Sequence, residues 1–395
     1  MTTPAGSPFS FEDLRRAPDV EGPNLVAVDA SDRLILDEAA DLLAAAGPGE
    51  VVVIGDHYGA LTLGALAQHD LPGLRVSQDP LVAELALAGN YERAARAGLT
   101  GSYASSDLNA DLVRGARVVL LQLPRGLAAL DEIAALVAAH AAPDVVLLAG
   151  GRLKHMTLGM NEVLGRHFGA VSASLARQKS RVLRASSPIQ PPTAQVATVG
   201  SLGYPQTEFH EDLDLWVAAH GAAFAGTSID IGTRYLLTYL DQMPEDPSDV
   251  VDLGCGTGVL AAVAAKRWLT AQVLASDSSR AAVASALATL DLNGLTSGVE
   301  VVRDDGLKSR PAASADLILC NPPFHSGAAV MPDIALRLFD DAGRVLRPGG
   351  ELWTVFNSRL SHASTLRKRV GPTEVMGDNG KFTVTRSVKR VKAGA

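Results

Sequence analysis

Val251-Asp252-Leu253-Gly254-Cys255-Gly256-Thr257-Gly258 sets the architecture of this 395-residue chain. Apolar Val250 and Val251 read as a buried strand, and residues 259–268 read as a helix, so the glycines form the turn between them. Strand, glycine turn and helix open a βαβ unit in a doubly wound, mostly parallel sheet. Closely spaced glycines let backbone N–H groups approach a ligand where any Cβ would clash. Asp252 just before them would repel the pyrophosphate that a dinucleotide fingerprint holds. Its carboxylate suits a cationic ligand, such as the α-ammonium of a methionine moiety. A tight turn with no ligand is the bland alternative, and Asp252 together with three glycines argues against it.

The strands that follow carry matching polar residues at their ends. Residues 273–275 form the next strand, and Asp277 beyond it is placed to accept hydrogen bonds from two ribose hydroxyls. A helix N-cap is the alternative role for such an Asp. Asp304 and Asp305 follow a third strand, 299–301, and Asp305 is the preferred acceptor for an adenine amino group. A fourth strand, Leu317-Ile318-Leu319-Cys320, runs into Asn321-Pro322-Pro323-Phe324. An exocyclic amine has a delocalised lone pair and is a weak nucleophile. The Asn321 side-chain oxygen and the Pro322 carbonyl can accept its two hydrogens and stabilise the charge that develops on attack. The prolines fix both acceptors. Phe324 offers a stacking face worth ~1–3 kcal/mol for a base. Residues 344–350 read as a helix end and turn before a fifth strand, 351–356. Asp378-Asn379-Gly380 reads as a hairpin turn. Ser228-Ile229-Asp230-Ile231-Gly232-Thr233 opens a helix before the glycine strand, and either caps it or closes over a cofactor.

The first half repeats this pattern. Residues 29–46 read as a helix, and strands are expected at 51–54, 74–76, 118–121 and 145–148. Gly55 and Gly254 are 199 positions apart, and so are Gln122 and Asn321. A constant offset over both motifs points to an internal duplication. Val53 stands in the place of Asp252, His57 in that of Gly256, and Gln122-Leu123-Pro124-Arg125 replaces the amine motif. The first copy therefore reads as chemically inert. The proline-rich residues 186–193 mark the boundary, giving domains at 1–186 and 204–395 joined by a linker at 187–203.

Composition narrows the class further. The chain is 47% hydrophobic with a net charge of −8 and a pI of about 5.6. It can build full cores, and its acidity is a weak argument against a nucleic-acid partner. Its basic residues are clustered, however. Arg152, Lys154, His155, Arg166, Arg177, Lys179, Arg181 and Arg184 face one acid within 151–184, and a second cluster runs from Arg359 to Lys392. The two cysteines, Cys255 and Cys320, exclude a disulfide framework and have no metal-ligand spacing. No signal peptide or membrane span is apparent. A soluble cytoplasmic protein without metal, expected to be a monomer, follows.

The second half resembles the class I S-adenosylmethionine-dependent methyltransferases at residues 252–258, at Asp277 and at residues 321–324. The whole chain, from about 30 to 390, resembles the two-domain ribosomal RNA guanine-N2 methyltransferases, whose Asn-Pro-Pro-Phe-His motif is here residues 321–325. Residues 228–232 and 379–382 favour the large-subunit (23S-like) branch over the small-subunit (16S-like) one. The resemblance implies two tandem Rossmann-like domains with seven-stranded sheets, the first inactive and helping to hold RNA. It also implies S-adenosyl-L-methionine as donor. The cofactor site would be Asp252, Gly254, Cys255, Gly256, Gly258, Asp277 and Asp305, with Asp230, Gly232 and Asn321 beside it. Asn321, Pro322 and Phe324 would present the guanine. Methylation of a protein glutamine or DNA adenine uses the same Asn-Pro-Pro-aromatic logic. A non-catalytic RNA-binding protein and a nicotinamide dehydrogenase are the remaining classes. Intact Asp252, Asp277 and Asn321 argue against the first of these, and Asp252 against the second.

Overall fold

The computed structural model describes residues 9–22, 24–69, 71–190, 202–322, 331–360 and 362–391. The chain divides into two compact units after Tyr204. The first holds seven strands: β1 (Val51–Ile54), β2 (Leu74–Ser77), β3 (Tyr103–Ser105), β4 (Val118–Gln122), β5 (Val146–Arg152), β6 (Phe168–Ala173) and β7 (Ser180–Pro188). Its helices are α1 (Ala30–Ala45), α2 (Ala60–Gln68), α3 (Leu81–Arg96), α4 (Ala110–Val113), α5 (Leu127–His140) and α6 (Leu158–His167). The sheet order is β3-β2-β1-β4-β5-β7-β6. β1 to β5 are parallel, and β7 is antiparallel to both of its neighbours. All four residues of β1 are buried, as a parallel strand covered on both faces requires. Val51 and Val53 join the core under α1 to α3, while Val52 and Ile54 join the core under α5 and α6.

The second unit begins with a hairpin, β8 (Gln206–His210) and β9 (Leu215–Ala219), and α7 (Ile231–Leu237). Then come β10 (Asp249–Leu253), α8 (Val259–Arg267), β11 (Gln272–Asp277), α9 (Arg280–Leu292), β12 (Val299–Arg303) and β13 (Ala315–Cys320). The remaining elements are α10 (Met331–Val345), β14 (Leu346–Asn357), α11 (His362–Arg369), β15 (Thr373–Asp378) and β16 (Phe382–Val388). The sheet order, β12-β11-β10-β13-β14-β16-β15, is that of the first unit. The register repeats as well. Val53 pairs with Leu120, and Asp252 with Leu319, each 199 positions on.

Two boundaries differ from the sequence reading. Residues 186–188, read as part of the connector, continue β7 and pair with β6, where Phe168 faces Pro188. A proline is tolerated at such a strand end because little of the ladder remains beyond it. Residues 191–201, most of the expected linker, lie outside the described residues. Arg347-Pro348-Gly349-Gly350, read as a turn, belongs to β14. Pairing with β13 shifts register between Ala315 and Leu317, so the extra residues form a bulge.

Candidate active site

The site lies where the strand order reverses, between β10 and β13. In open α/β sheets this crevice, beyond the carboxyl ends of the strands, is where ligands bind. Leu253 pairs with Cys320, so Gly254 and Asn321 leave the sheet side by side, one strand spacing of about 4.8 Å apart. Two motifs separated by 67 positions in the chain are thereby adjacent in space.

Asp252 shares the α8-facing side of β10 with Val250 and is 1% exposed. Its Oδ2 accepts the Ala261 N–H in the first turn of α8 (2.9 Å). Its Oδ1 has no hydrogen-bond partner among the described residues. Burial pushes this carboxyl from the ordinary 3.8 up to about 7; the Ala261 N–H opposes the shift and Asp277 adds to it. A buried carboxylate with one unsatisfied oxygen is costly unless a cation or donor arrives. The turn above it has positive φ at Gly254 (+79°), Gly256 (+53°) and Gly258 (+77°). A Cβ on Gly254 or Gly256 would meet nothing within 4 Å among the described residues. At Gly55, the counterpart of Gly254, a Cβ would meet the Gln122 carbonyl at 3.3 Å. Among the described residues, the second unit thus leaves a space at Gly254 that the first fills at Gly55.

Asp277 ends β11. Its Oδ2 accepts the Gly256 N–H (3.0 Å) and its Oδ1 the Ser279 N–H (2.9 Å). Ser279, not Asp277, caps α9, so Asp277 ties the glycine turn to the neighbouring strand. Asp305 is paired with Lys308 and lies 3.9 Å from Arg337. Asp304 is buried and accepts from the Ser309 backbone and hydroxyl. Cys255 and Cys320 are both buried, and burial pushes both thiols well up. Both belong to the apolar core.

Asn321 is held by its amino group. Its Nδ2 donates to Asp230 Oδ2 and to Thr233 Oγ1, both at 3.0 Å. Asp230 is the N-cap of α7 and also accepts the Gly232 N–H (2.8 Å) and the Thr233 N–H (3.3 Å). These acceptors orient the amide, leaving the Asn321 Oδ1 buried and without a partner among the described residues. Capping and site-building are thus one arrangement, because the cap of α7 is also the anchor of Asn321. Gly232 is required by close approach, since a Cβ there would sit 2.9 Å from Asp230 Oδ2 and 3.2 Å from the Phe382 ring. Pro322 is buried. Pro323, Phe324 and His325 lie outside the described residues. A cavity of about 260 Å³ opens at the opposite, amino edge of the sheet, near Asp249, Gln272 and Arg310. It contains none of these residues.

Comparison with known proteins joins the two halves. The methyltransferase small domain matches residues 214–386, and the RLMG N-terminal domain matches residues 3–189. The ribosomal RNA large subunit methyltransferase G of Shewanella amazonensis is 33% identical over 391 residues, covering 98% of both chains. That of Streptomyces coelicolor is 35% identical over 394 residues, covering 98% of this chain and 100% of its own. The chain belongs to the ribosomal RNA large subunit methyltransferase G family. Among solved structures, a T. thermophilus 16S rRNA N2-guanine methyltransferase in complex with AdoMet and guanosine matches 97% of this chain and 100% of its own. Its TM-score is 0.71 at 20% identity, a likeness of fold.

Membership in the methyltransferase G family covers both units, and the glycine turn and Asn321 lie within the methyltransferase small domain. It does not by itself reveal Thr233, whose hydroxyl holds Asn321 from 88 positions away. The one sequence signal was its place at the end of the 228–233 stretch. Among the described residues, no group of acids, histidines and cysteines could hold a metal. No helix among them is long and apolar enough to cross a membrane.

Proposed function

We propose that this protein transfers a methyl group from S-adenosyl-L-methionine to the exocyclic N2 of a guanine in large-subunit ribosomal RNA. The observation that carries this reading is the pinned Asn321 amide, whose spare oxygen borders the open glycine turn. The residues present fit the cofactor. Asp252 has an unsatisfied buried oxygen for an ammonium group. Gly254 and Gly256 leave room for a ligand against the backbone, and Asp277 stands beside them at the end of β11. Asp305 closes the adenine side. S-adenosyl-L-methionine, when bound, supplies an electrophilic methyl on a sulfonium. Asn321 Oδ1 accepts one hydrogen of the guanine amino group, and the Pro322 carbonyl accepts the other. The Asn321 acceptor is held in place before substrate arrives, so it needs no reorganisation as positive charge grows on nitrogen. The nitrogen loses its proton to solvent after the N–C bond has formed. Phe324 supplies the stacking face for the base. Alignment is the main contribution, on the scale of effective molarities of ~10⁵–10⁸ M.

Residues 1–186 are assigned as an inactive copy that helps to hold RNA, 187–203 as linker and 204–395 as the catalytic domain. Val53, His57, Gln78 and Gln122 stand at the positions of Asp252, Gly256, Asp277 and Asn321, which supports inactivity of the first copy. In its basic segment Arg152 pairs with Asp29, Arg166 with Asp131 and Arg177 with Asp37. Exposed Lys154, Lys179 and Arg184 supply the positive surface. The protein acts as a monomer in the cytoplasm. The test is methyl transfer by purified protein to large-subunit ribosomal RNA from a strain lacking the gene, followed by mass mapping of nucleosides. N2-methylguanosine is the expected product. Transfer to DNA or protein, but not to RNA, would refute the reading.

A further inference from the structure

Beside the site, two short segments are tied together at the carboxyl edge of the sheet. Asn357, at the end of β14, pairs with Phe382, at the start of β16. The Ser358 N–H donates to the Lys381 carbonyl (3.0 Å). Asn379 Oδ1 accepts the Lys381 and Phe382 N–H groups (3.0 and 2.8 Å). Asp378 accepts the Gly380 N–H (2.7 Å) and the Thr383 hydroxyl (2.6 Å), and that hydroxyl lies 2.8 Å from Ser358 Oγ. On the other segment, Asn357 Oδ1 accepts the Arg359 N–H (3.0 Å). Side chain to backbone bonds of this kind fix a turn.

The fixed turns present two cations. Arg359 and Lys381 are both exposed. Neither has an ion-pair partner among the described residues. Asp378, the acid of the same hairpin, spends both carboxylate oxygens on the turn itself. The Lys381 ammonium stands 5.4 Å from the centroid of the Phe382 ring. That ring backs Gly232, on the helix start that anchors Asn321. A chain of direct contacts therefore runs from Lys381 through Phe382 and α7 to the amine-binding oxygen. Two exposed cations on a stiff ledge next to a base-binding crevice match a polyanion whose charge repeats along its backbone.

We propose that Arg359 and Lys381 grip the phosphodiester backbone next to the target nucleotide and act as positioning residues for its base. This rests on the reading of the site as an RNA methyltransferase centre. The test compares wild type with the double variant Arg359→Ala/Lys381→Ala. Measurements are steady-state methylation of large-subunit ribosomal RNA from a strain lacking the gene, and salt-dependent binding of a single-stranded RNA oligonucleotide. Each cation that neutralises a phosphate adds about 0.7–0.9 to the slope of log affinity against log salt. Without both cations that slope should fall by about 1.5. KM for RNA should rise at least tenfold at ~150 mM salt. The kcat and the affinity for S-adenosylmethionine should stay within about twofold, because neither depends on holding a phosphate. Lys381→Arg should restore most of the loss. Lys266→Ala/Arg267→Ala removes the same charge from the far end of α8, where both cations are already ion-paired, and should leave the slope unchanged. An unchanged slope and KM in the double variant would overturn the proposal. So would a parallel loss of cofactor affinity, which would mark a structural role. If wild type leaves ribosomal RNA unmethylated, the reading of the site fails, and the oligonucleotide slope still judges the ledge.

Discussion

Asp252→Asn should make the second unit more stable and less able to bind its cofactor. The carboxyl rises from 3.8 to about 7 on folding because it is buried. A raised acid favours folding below the unfolded value and loses that advantage as pH climbs through the folded one. A rise from 3.8 to about 7 makes the ionised side chain a burden of about 4 kcal/mol at pH 8. This is an upper bound, because the effective interior dielectric is nearer 20 than 4. Asparagine keeps an acceptor for the Ala261 N–H and carries no charge. The variant's advantage over wild type should therefore be small at pH 4, grow to pH 7 and level off above it. All three tryptophans, Trp216, Trp268 and Trp353, lie in the second unit. Urea unfolding followed by their fluorescence thus reports this unit alone, and subtracting wild type from variant cancels the titrating groups that are not coupled to Asp252. In calorimetry, wild-type affinity for S-adenosylmethionine should be about tenfold weaker at pH 6 than at pH 8, because protonation competes with the ligand. The variant should bind weakly at both. A stability difference that stays flat between pH 5 and 8 would refute the reasoning, since it would mean that the carboxylate is already satisfied in the folded chain.

Other substitutions separate the roles of the site. Asn321→Ala should abolish methyl transfer while cofactor affinity stays within about threefold, as a group that acts mainly in the transition state requires. Asp277→Ala removes the tie to Gly256 and should weaken cofactor binding at least tenfold; equal losses of binding in both variants would count against these assignments. Thr233→Val deletes one of the two bonds that hold the Asn321 amide. It should lower kcat about two- to tenfold, equivalent to ~0.5–1.5 kcal/mol, with the cofactor dissociation constant unchanged. Gly258→Ala would place a Cβ 2.9 Å from Ala286 at a φ of +77°. It should destabilise the second unit by about 1–3 kcal/mol in the same urea assay.

The parallel strands were legible because each is a short apolar run followed by a turn residue. The polar residues that end them could then be assigned to one edge of the sheet. The same spacing between Gly55 and Gly254 as between Gln122 and Asn321 was enough to anticipate a duplicated domain. Less was visible where burial is one-sided or slight. Four of the five residues of β8 are exposed, and β6 has one buried residue, Phe168. Neither has the periodicity that marks a strand. The bulge in β14 was hidden because Pro348-Gly349-Gly350 has the composition of a turn, and only the partner strand shows otherwise. The anchoring of Asn321 was out of reach for a different reason. Asp230 and Thr233 lie 91 and 88 positions away, and no local pattern encodes so distant a meeting. Asp277 was expected beside the turn, but its bond to Gly256 becomes visible only when β10 and β11 are paired.

The shared strand register has a consequence for how such a protein can change. Ladder hydrogen bonds are made by the main chain, while the reacting groups stand just past the last rung. Residues there can be exchanged without disturbing the apolar layers below, as His57 in the place of Gly256 illustrates. Such exchanges leave the ladder intact, so a copy without the second unit's site residues still forms the same sheet.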